Sequence, residues 1–564
     1  MMGRESLQKS LHDPDYICTQ VVPKDSFYHT LYFLGSALFE DEDFSEMYCD
    51  NNGRKSIPPS LLAKVLLLQE YEDVSDRKAA ENVRYNIAWK YALRVPLDYE
   101  GFDHSSICKF RTRLMVYELE EKPFDKLCKA AKELDLIDPK NLHAVDSSAI
   151  IGHAQQQDTY TLIEKAIKKS VNSLSAVDNK ETTGAVKNGG LTKYCDYERP
   201  DIDWKKEKEK REYLKKLVQD AHHLLGIVAD SDVSKNKKIQ RDTRLLRDIL
   251  NQDIVYEKEN NNSDSDDNDG EKKKQNSNDI NPDIKNGVAK DRIISTVDTE
   301  MRHGRKSSSQ KFNGFKGHIT IDTEAEWITN LLVSSANKRD SETGVSAIIN
   351  QETHTDYLPE EVVADSGYVT ADTRADFSDT EIKLTSPVRK QGRKGYYHKY
   401  EFDIDLENMK ATCPANNTTE KVYNSKDNKG RKIKIFQFEC CDDCEKRKNC
   451  TTADKGRTIT LLYHEEEVLK ALKQQREDEK FEETYYRRYI IERKIAELFF
   501  QHGMRQARFF GKQKIKFQMF WKALAVNLKR LPKLFNKVPE VCLKKIKEVL
   551  RTGNNEKKPA VTAV

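Results

Sequence analysis

At 564 residues the chain has room for three or four domains of about 150 residues each. Charged residues make up 34% and hydrophobic residues 37%. That balance predicts a soluble protein with ample core and excludes an integral membrane protein, since no stretch approaches the roughly 20 apolar residues of a spanning helix. The 96 Lys and Arg nearly cancel 93 Asp and Glu, for a net charge of +3, so any nucleic-acid surface has to come from segregated rather than total charge.

The opening MMGRESLQKSLHDPDYICTQ lacks the apolar centre of a signal peptide and predicts a cytoplasmic chain. Residues 1–135 read as helices. SIPPSLLAKVLLLQEY puts Pro58 and Pro59 in a first helical turn, where a missing N–H is harmless, and follows with Leu62, Val65, Leu66 and Leu68. Further on, Gly101 and Asp103 mark a turn before a basic helical stretch with Lys109, Arg111 and Arg113, a pattern that suits a bundle helix or a DNA contact. LHAVDSSAI then breaks the helical pattern: residues 142–150 read as a short buried strand ending in Asp146, within a first core piece at 136–158. Residues 159–290 read as a helical insertion with charge-rich helices over 203–230 and 236–258. From 257 to 279 there is no hydrophobic residue, which predicts a linker unable to build a core. Strands resume at KGHITID (316–322) and WITNLLVSS (327–335), and EVVADSGY ends a third strand at Asp365 before Gly367. The core piece at 291–400 is followed by a Cys-rich insertion at 401–456, helices at 457–537 and a basic tail at 538–564. This order predicts an α/β core carrying insertions.

Three features carry chemistry. Two strands end in Asp, at 146 and 365, and a later helix offers Tyr485, Arg488 and Glu492, whose offsets of three and four share one helix face. Three carboxylates converging from separate elements suit two-metal phosphoryl transfer, because Mg²⁺ prefers hard oxygen ligands and keeps open positions for phosphate and water. From Tyr485 to Lys537 there are fourteen Lys and Arg against two acids, Glu492 and Glu497, a block suited either to phosphate binding or to a solvated helix face. Of eleven cysteines, five fall in 413–450. Cys413 and the run Cys441-x2-Cys444-x5-Cys450 suit a tetrahedral structural Zn²⁺, with Cys440 as an alternative ligand. Basic neighbours such as Lys432, Lys434, Lys446, Arg447 and Lys448 suggest a knuckle near DNA.

With these residues in view, the sequence resembles bacterial insertion-sequence transposases of the DDE superfamily. The resemblance runs through GRKSIPPSLL, VSDR, WKYAL and GFDHSSICKFRTRL in the N-terminal part, then VDSS, DTEMRHGRKSSSQKFNGFKGHITID and ADSGY. It ends in YYRRYIIERKIAELFFQHGMRQARFFG, which fits Y-x2-R-x3-E-x6-K with Tyr485, Arg488 and Glu492 but carries Phe499 at the Lys position.

The resemblance implies an RNase H-like catalytic core with a helical N-terminal domain, a helical insertion and a small zinc-binding insertion. It also implies a cytoplasmic, nucleoid-associated transposase, in which Asp146, Asp365 and Glu492 hold two Mg²⁺ or Mn²⁺ ions per active site and Cys413, Cys441, Cys444 and Cys450 a structural Zn²⁺. The first attack would nick the transposon end and the second would join it to target DNA. Tyr485 and Arg488 would position DNA or orient Glu492. Lys494, Arg505 or Arg508 would replace the missing Lys contact, and Glu497 is the rival third acid. The implied partners are terminal inverted-repeat DNA, target DNA and further copies of the chain, as a homodimer or higher oligomer in a synaptic complex. The alternative is a catalytically silent DNA-binding descendant, a repressor or architectural factor; a structure-guided nuclease on the same fold is a third reading.

Overall fold

The structure, a computed structural model, describes residues 2–4, 14, 18–49, 55–177, 179–196, 200–256, 281–307, 309–389, 394–534 and 539–552. The stretch read as a linker, 257–279, lies outside them, as does the chain from 553 on.

Among the described residues six helices precede the first strand: α1 (Phe27–Leu38), α2 (Pro59–Glu72), α3 (Asp76–Tyr85), α4 (Ile87–Leu93), α5 (Ser105–Val116) and α6 (Lys122–Glu133). Pro59 opens α2 as its first helical residue, and Leu62, Val65, Leu66 and Leu68 are all buried. So are Lys64, Gln69 and Glu70, because α2 is covered on every side.

Strand β1 (Leu142–Ile151) follows, and then the helical insertion: α7 (Thr159–Ser175), α8 (Lys180–Asn188), α9 (Glu207–Ala229) and α10 (Lys237–Asp253), closed by the short pair β2 (Ile254–Tyr256) and β3 (Pro282–Ile284). These helices bury their own cluster, including Leu162, Ile167, Leu217, Leu224, Leu246 and Ile249.

The central sheet is completed by β4 (Arg302–Arg305), β5 (Lys311–Asp322), β6 (Trp327–Ser335), β7 (Glu361–Ala364) and β8 (Lys383–Thr385), with α11 (Gly344–Ile349), α12 (Gln351–Thr355) and α13 (Ala371–Ser378) between them. Its order is β4-β5-β1-β7-β8, with β6 beside β4 on the outer edge of β5. β1, β5 and β6 form an antiparallel meander, whereas β7 and β8 run parallel to β1.

Period-two alternation sends Leu142, Ala144 and Val363 into one core and Val145, Val362 and Ala364 into the other. The first core is continuous with α1–α6 and with α17 (Lys512–Leu534), so the N-terminal helices and the central sheet share one apolar interior. Every residue of α17 from Phe517 to Leu528 is buried, Gln518, Lys522 and Asn527 included. Its Asn527 accepts from Ile328 N–H (2.9 Å) and donates to Ile328 C=O (2.8 Å), covering the edge of β6.

Beyond the sheet, β9 (Asp403–Asp405), β10 (Lys410–Thr412), β11 (Thr418–Thr419), β12 (Val422–Lys426), β13 (Lys432–Gln437) and β14 (Thr458–Leu461) form two small antiparallel sheets that carry the cysteines. The helices α14 (Glu465–Glu477), α15 (Phe481–Tyr486) and α16 (Tyr489–Ala496) lead through a π-helical turn, Glu497–Gln501, to α17. Part of what reads as tail is the helix α18 (Pro539–Thr552), whose Leu543, Ile546 and Leu550 dock in the first core beside α1 and α6. No helix among the described residues is long and apolar enough to cross a membrane.

Candidate active site

Asp146 sits in the middle of β1 and not at its end, contrary to the sequence reading, because β5 pairs with β1 along its whole length from His143 to Ile151. What ends near Asp146 is the other partner. β7 pairs with β1 only from Leu142↔Glu361 to Val145↔Ala364, so Asp146 and Asp365 are the next residues along two adjacent parallel strands. Adjacent strands lie about 4.8 Å apart, which sets the two carboxylates side by side. Both make the same local contact: Ser147 N–H donates to Asp146 Oδ1 and Ser366 N–H to Asp365 Oδ1, each at 2.7 Å.

Burial pushes the Asp146 carboxyl up to about 6; Ser147 N–H and Arg488 oppose the rise, and Asp365 and Asp340 add to it. Glu492 arrives from α16 with its side chain 58% exposed. The expected single helix through Tyr485, Arg488 and Glu492 is interrupted at Arg487–Arg488, yet the motif still converges. Arg488 donates to Asp146 Oδ2 at 2.9 Å and, through its other terminal nitrogen, to Glu492 Oε1 at 2.8 Å. The Tyr485 ring centroid lies 5.9 Å from the same guanidinium carbon.

The other predicted basic residues are engaged inside the protein. Lys494 is buried and pairs with Glu497 (2.8 Å), which also holds Lys529 (2.9 Å). Arg505 donates to Ala149 C=O (3.0 Å), bracing β1. Arg508 donates to Val74 C=O (2.5 Å) and lies 3.5 Å from the fully buried Glu70, which also faces Lys522 (3.3 Å). Gly503, at φ +70°, packs so closely here that a Cβ would stand 2.2 Å from Asp73 Oδ2. Phe499 is wholly buried against Gly317 of β5.

Cys413, Cys440, Cys441, Cys444 and Cys450 all border one cavity of about 20 Å³, together with Phe402, Phe438 and Arg457. That is room for about one ion or water. Cys441 and Cys450 are buried and Cys440 is exposed; burial raises the Cys450 thiol, and Arg457 opposes this. Among the described residues, however, no three His, Cys, Asp or Glu side chains are gathered tightly enough to hold a metal ion, at the cysteines or at the acids.

Comparison with known families bears on the assignment. Residues 412–532 match the family described as Transposase DDE domain, and residues 18–113 match Transposase domain (DUF772). Together the two matches support an insertion-sequence DDE transposase. The DDE match covers Glu492 and the cysteines, whereas Asp146 and Asp365 lie outside it. No curated protein and no solved structure matches this chain.

The sequence reading missed two features of this candidate site. Asp340 converges with Asp365 on Gly367, where an added Cβ would stand 3.7 Å from Asp365 Oδ2 and 4.0 Å from Asp340 Oδ2; Lys316 Nζ holds Asp340 Oδ1 at 3.0 Å. Behind the acids, His318 bonds to Tyr368 Oη (2.7 Å) and Ser334 Oγ (2.8 Å), and Tyr368 N–H donates to Asp365 C=O (2.9 Å). Tyr368 stands in the ADSGY motif, a visible signal, whereas Asp340 lies in the polar run NKRDSE and has none.

Proposed function

We propose that this chain cleaves DNA at the ends of a mobile element and joins those ends to target DNA, with Asp146, Asp365 and Glu492 as its catalytic carboxylates. The observation that carries the proposal is the β1/β7 register, which makes Asp146 and Asp365 neighbours on parallel strands, with Arg488 linking Asp146 to Glu492. The antiparallel meander extended by two parallel strands is read as an RNase H-like core.

The donor chemistry fits hard divalent cations: three carboxylates, one of them buried enough that ionising it is costly without a nearby positive charge. When bound, two Mg²⁺ or Mn²⁺ ions supply Lewis acidity that activates the attacking oxygen and stabilises the leaving one. Asp146 and Asp365 present fixed oxygens from the rigid sheet. Glu492 is exposed on its helix and less constrained. Arg488 orients Asp146 and Glu492 with its two nitrogens and is suited to a bidentate phosphate contact. Tyr485 buttresses that guanidinium. Lys494, Arg505 and Arg508 serve as internal braces in this reading, and DNA contact passes to the exposed cations around the cysteine lobe, such as Lys432 and Lys448.

The cysteine lobe is proposed to hold a structural Zn²⁺ through Cys413, Cys441, Cys444 and Cys450, since four thiols around an ion-sized space suit a closed tetrahedral site. Terminal inverted-repeat DNA, target DNA and a second copy of the chain are the partners. The binding-only alternative is not favoured, because all three acids are present and Arg488 joins two of them. The direct test is strand transfer: with Mg²⁺, the purified chain should join the 3′ end of an oligonucleotide carrying the element's terminal repeat to a plasmid. Binding of the oligonucleotide without nicking or joining would reject the proposal.

A further inference from the structure

The segment around Glu492, from the end of α15 through α16 to the π-helical turn, turns aromatic rings to solvent. From Tyr486 onward its exposed positions are Tyr486, Tyr489, Glu492, Arg493, Ala496 and Phe500. The opposite side, with Ile490, Ile491, Leu498 and Phe499, supplies the core contacts. The outward rings are therefore not needed to hold the helix down, and their exposure is large: 73% for Tyr486, 43% for Tyr489 and 67% for Phe500. A solvated helix face ordinarily carries charged and small polar side chains, so a row of three large aromatics marks a surface that is covered in use.

Its chemistry narrows the partner. The Tyr486 and Tyr489 rings lie 5.3 Å apart at 43°, and both are exposed. Guanidinium groups flank the line, with Arg493 5.2 Å from the Tyr489 centroid and Arg505 5.9 Å from that of Phe500. Arg493 is held in place by Glu326 at 2.9 Å. Aromatic faces beside arginines suit the π-faces of unpaired nucleobases, which a duplex hides inside its stack. Glu492 lies between Tyr489 and Phe500 in sequence and is exposed with them.

We propose that Tyr486, Tyr489 and Phe500 form a stacking platform for unpaired nucleobases beside Glu492, so that the chain takes DNA whose strands are parted at the cleavage point. This rests on the nuclease reading of Glu492 and adds the state of the substrate to it.

The test is binding of the full chain to three fluorescein-labelled probes: an oligo(dT) strand, an abasic strand of equal length and a blunt duplex. Tyr489→Leu and Phe500→Leu should each weaken oligo(dT) binding about tenfold, the loss of one stacked base, and leave the abasic strand unaffected. Tyr489→Trp should restore the affinity. All three positions face water, so an unchanged thermal midpoint is expected and separates lost stacking from lost folding. Equal oligo(dT) affinity in wild type and Leu variants would overturn the platform, as would an equal loss on the abasic strand. Leu variants that dissociate a dimer in sedimentation while binding oligo(dT) normally would make the face a contact between copies, and would also overturn it. Cleavage by Glu492→Gln is scored separately. If that variant cleaves while the Leu variants lose oligo(dT), the nuclease reading fails and the platform stands; the reverse pattern rejects the platform alone.

Discussion

Arg488 reaches Asp146 across 342 residues of sequence with a hydrogen bond of 2.9 Å. The pair joins the turn before α16 to β1, the middle strand of the sheet, and it sets a positive charge against a carboxyl that burial disfavours. Replacing Arg488 with Leu should strand that carboxylate and lower stability by about 2 kcal/mol, discounted from the fully buried case because both side chains are about one-fifth exposed. Urea denaturation of Arg488→Leu, Asp146→Asn and the double variant checks this. The double variant should recover most of the loss, and simple additivity of the two effects would contradict the pairing.

Glu497 should behave as a brace. Burial alone would raise its carboxyl, but Lys494 and Lys529 hold it down at about 2. A carboxyl lowered in the folded state adds stability that is fully present above its ordinary value of 4.5 and lost as the pH falls through about 2. Glu497→Gln should therefore cost on the order of 2 kcal/mol at neutral pH and much less near pH 3 (an acidity inside that window), while DNA cleavage is kept. Urea denaturation at the two pH values measures the difference. A gap that widens on acidification would contradict the assignment.

The same segment marks where the sequence was legible and where it was not. The strands at 316–322 and 327–335 and the helix opening at Pro59 could be read from β-branched runs and a first-turn proline, because those signals are local. The two Asp and the Glu stood out as candidates from apparent strand ends and the Y-x2-R-x3-E spacing, and the fold sets Asp146 beside Asp365 and links it through Arg488 to Glu492. Three things were not legible. A periodic pattern counts 3.6 residues per turn, but the chain passes into a π-helical turn at Glu497, which carries Phe499 into the core and Phe500 to the surface. A Lys at position 499 would be a buried charge beside Gly317. Basic residues were readable as basic but not as already paired, since the partner of Arg508 is Glu70, 438 positions away. And Asp146 ends no strand: only its parallel neighbour stops there, which is a fact of pairing and not of local sequence.

The cysteine lobe gives a prediction of its own. Freshly purified protein, never exposed to chelator, should contain one Zn²⁺ per chain, and Cys444→Ser should lose it. Because metal affinity at a structural site is folding free energy, that variant should also expose 401–456 to limited proteolysis. Cys440→Ser, at the exposed thiol, should keep its zinc. Metal analysis finding no zinc in the wild type would contradict the site.

The most direct measurement is single-turnover cleavage of DNA carrying the element's own ends, with Mg²⁺, by wild type and by Asp146→Asn, Asp365→Asn and Glu492→Gln, each assayed in parallel for binding to the same DNA. The amides keep shape and remove the charge, so each variant should bind near wild-type strength and fail to cleave. Because the three groups act as one unit, the triple variant should be barely worse than any single one. Normal cleavage by all three single variants would contradict the account, since Asp146, Asp365 and Glu492 would then be structural.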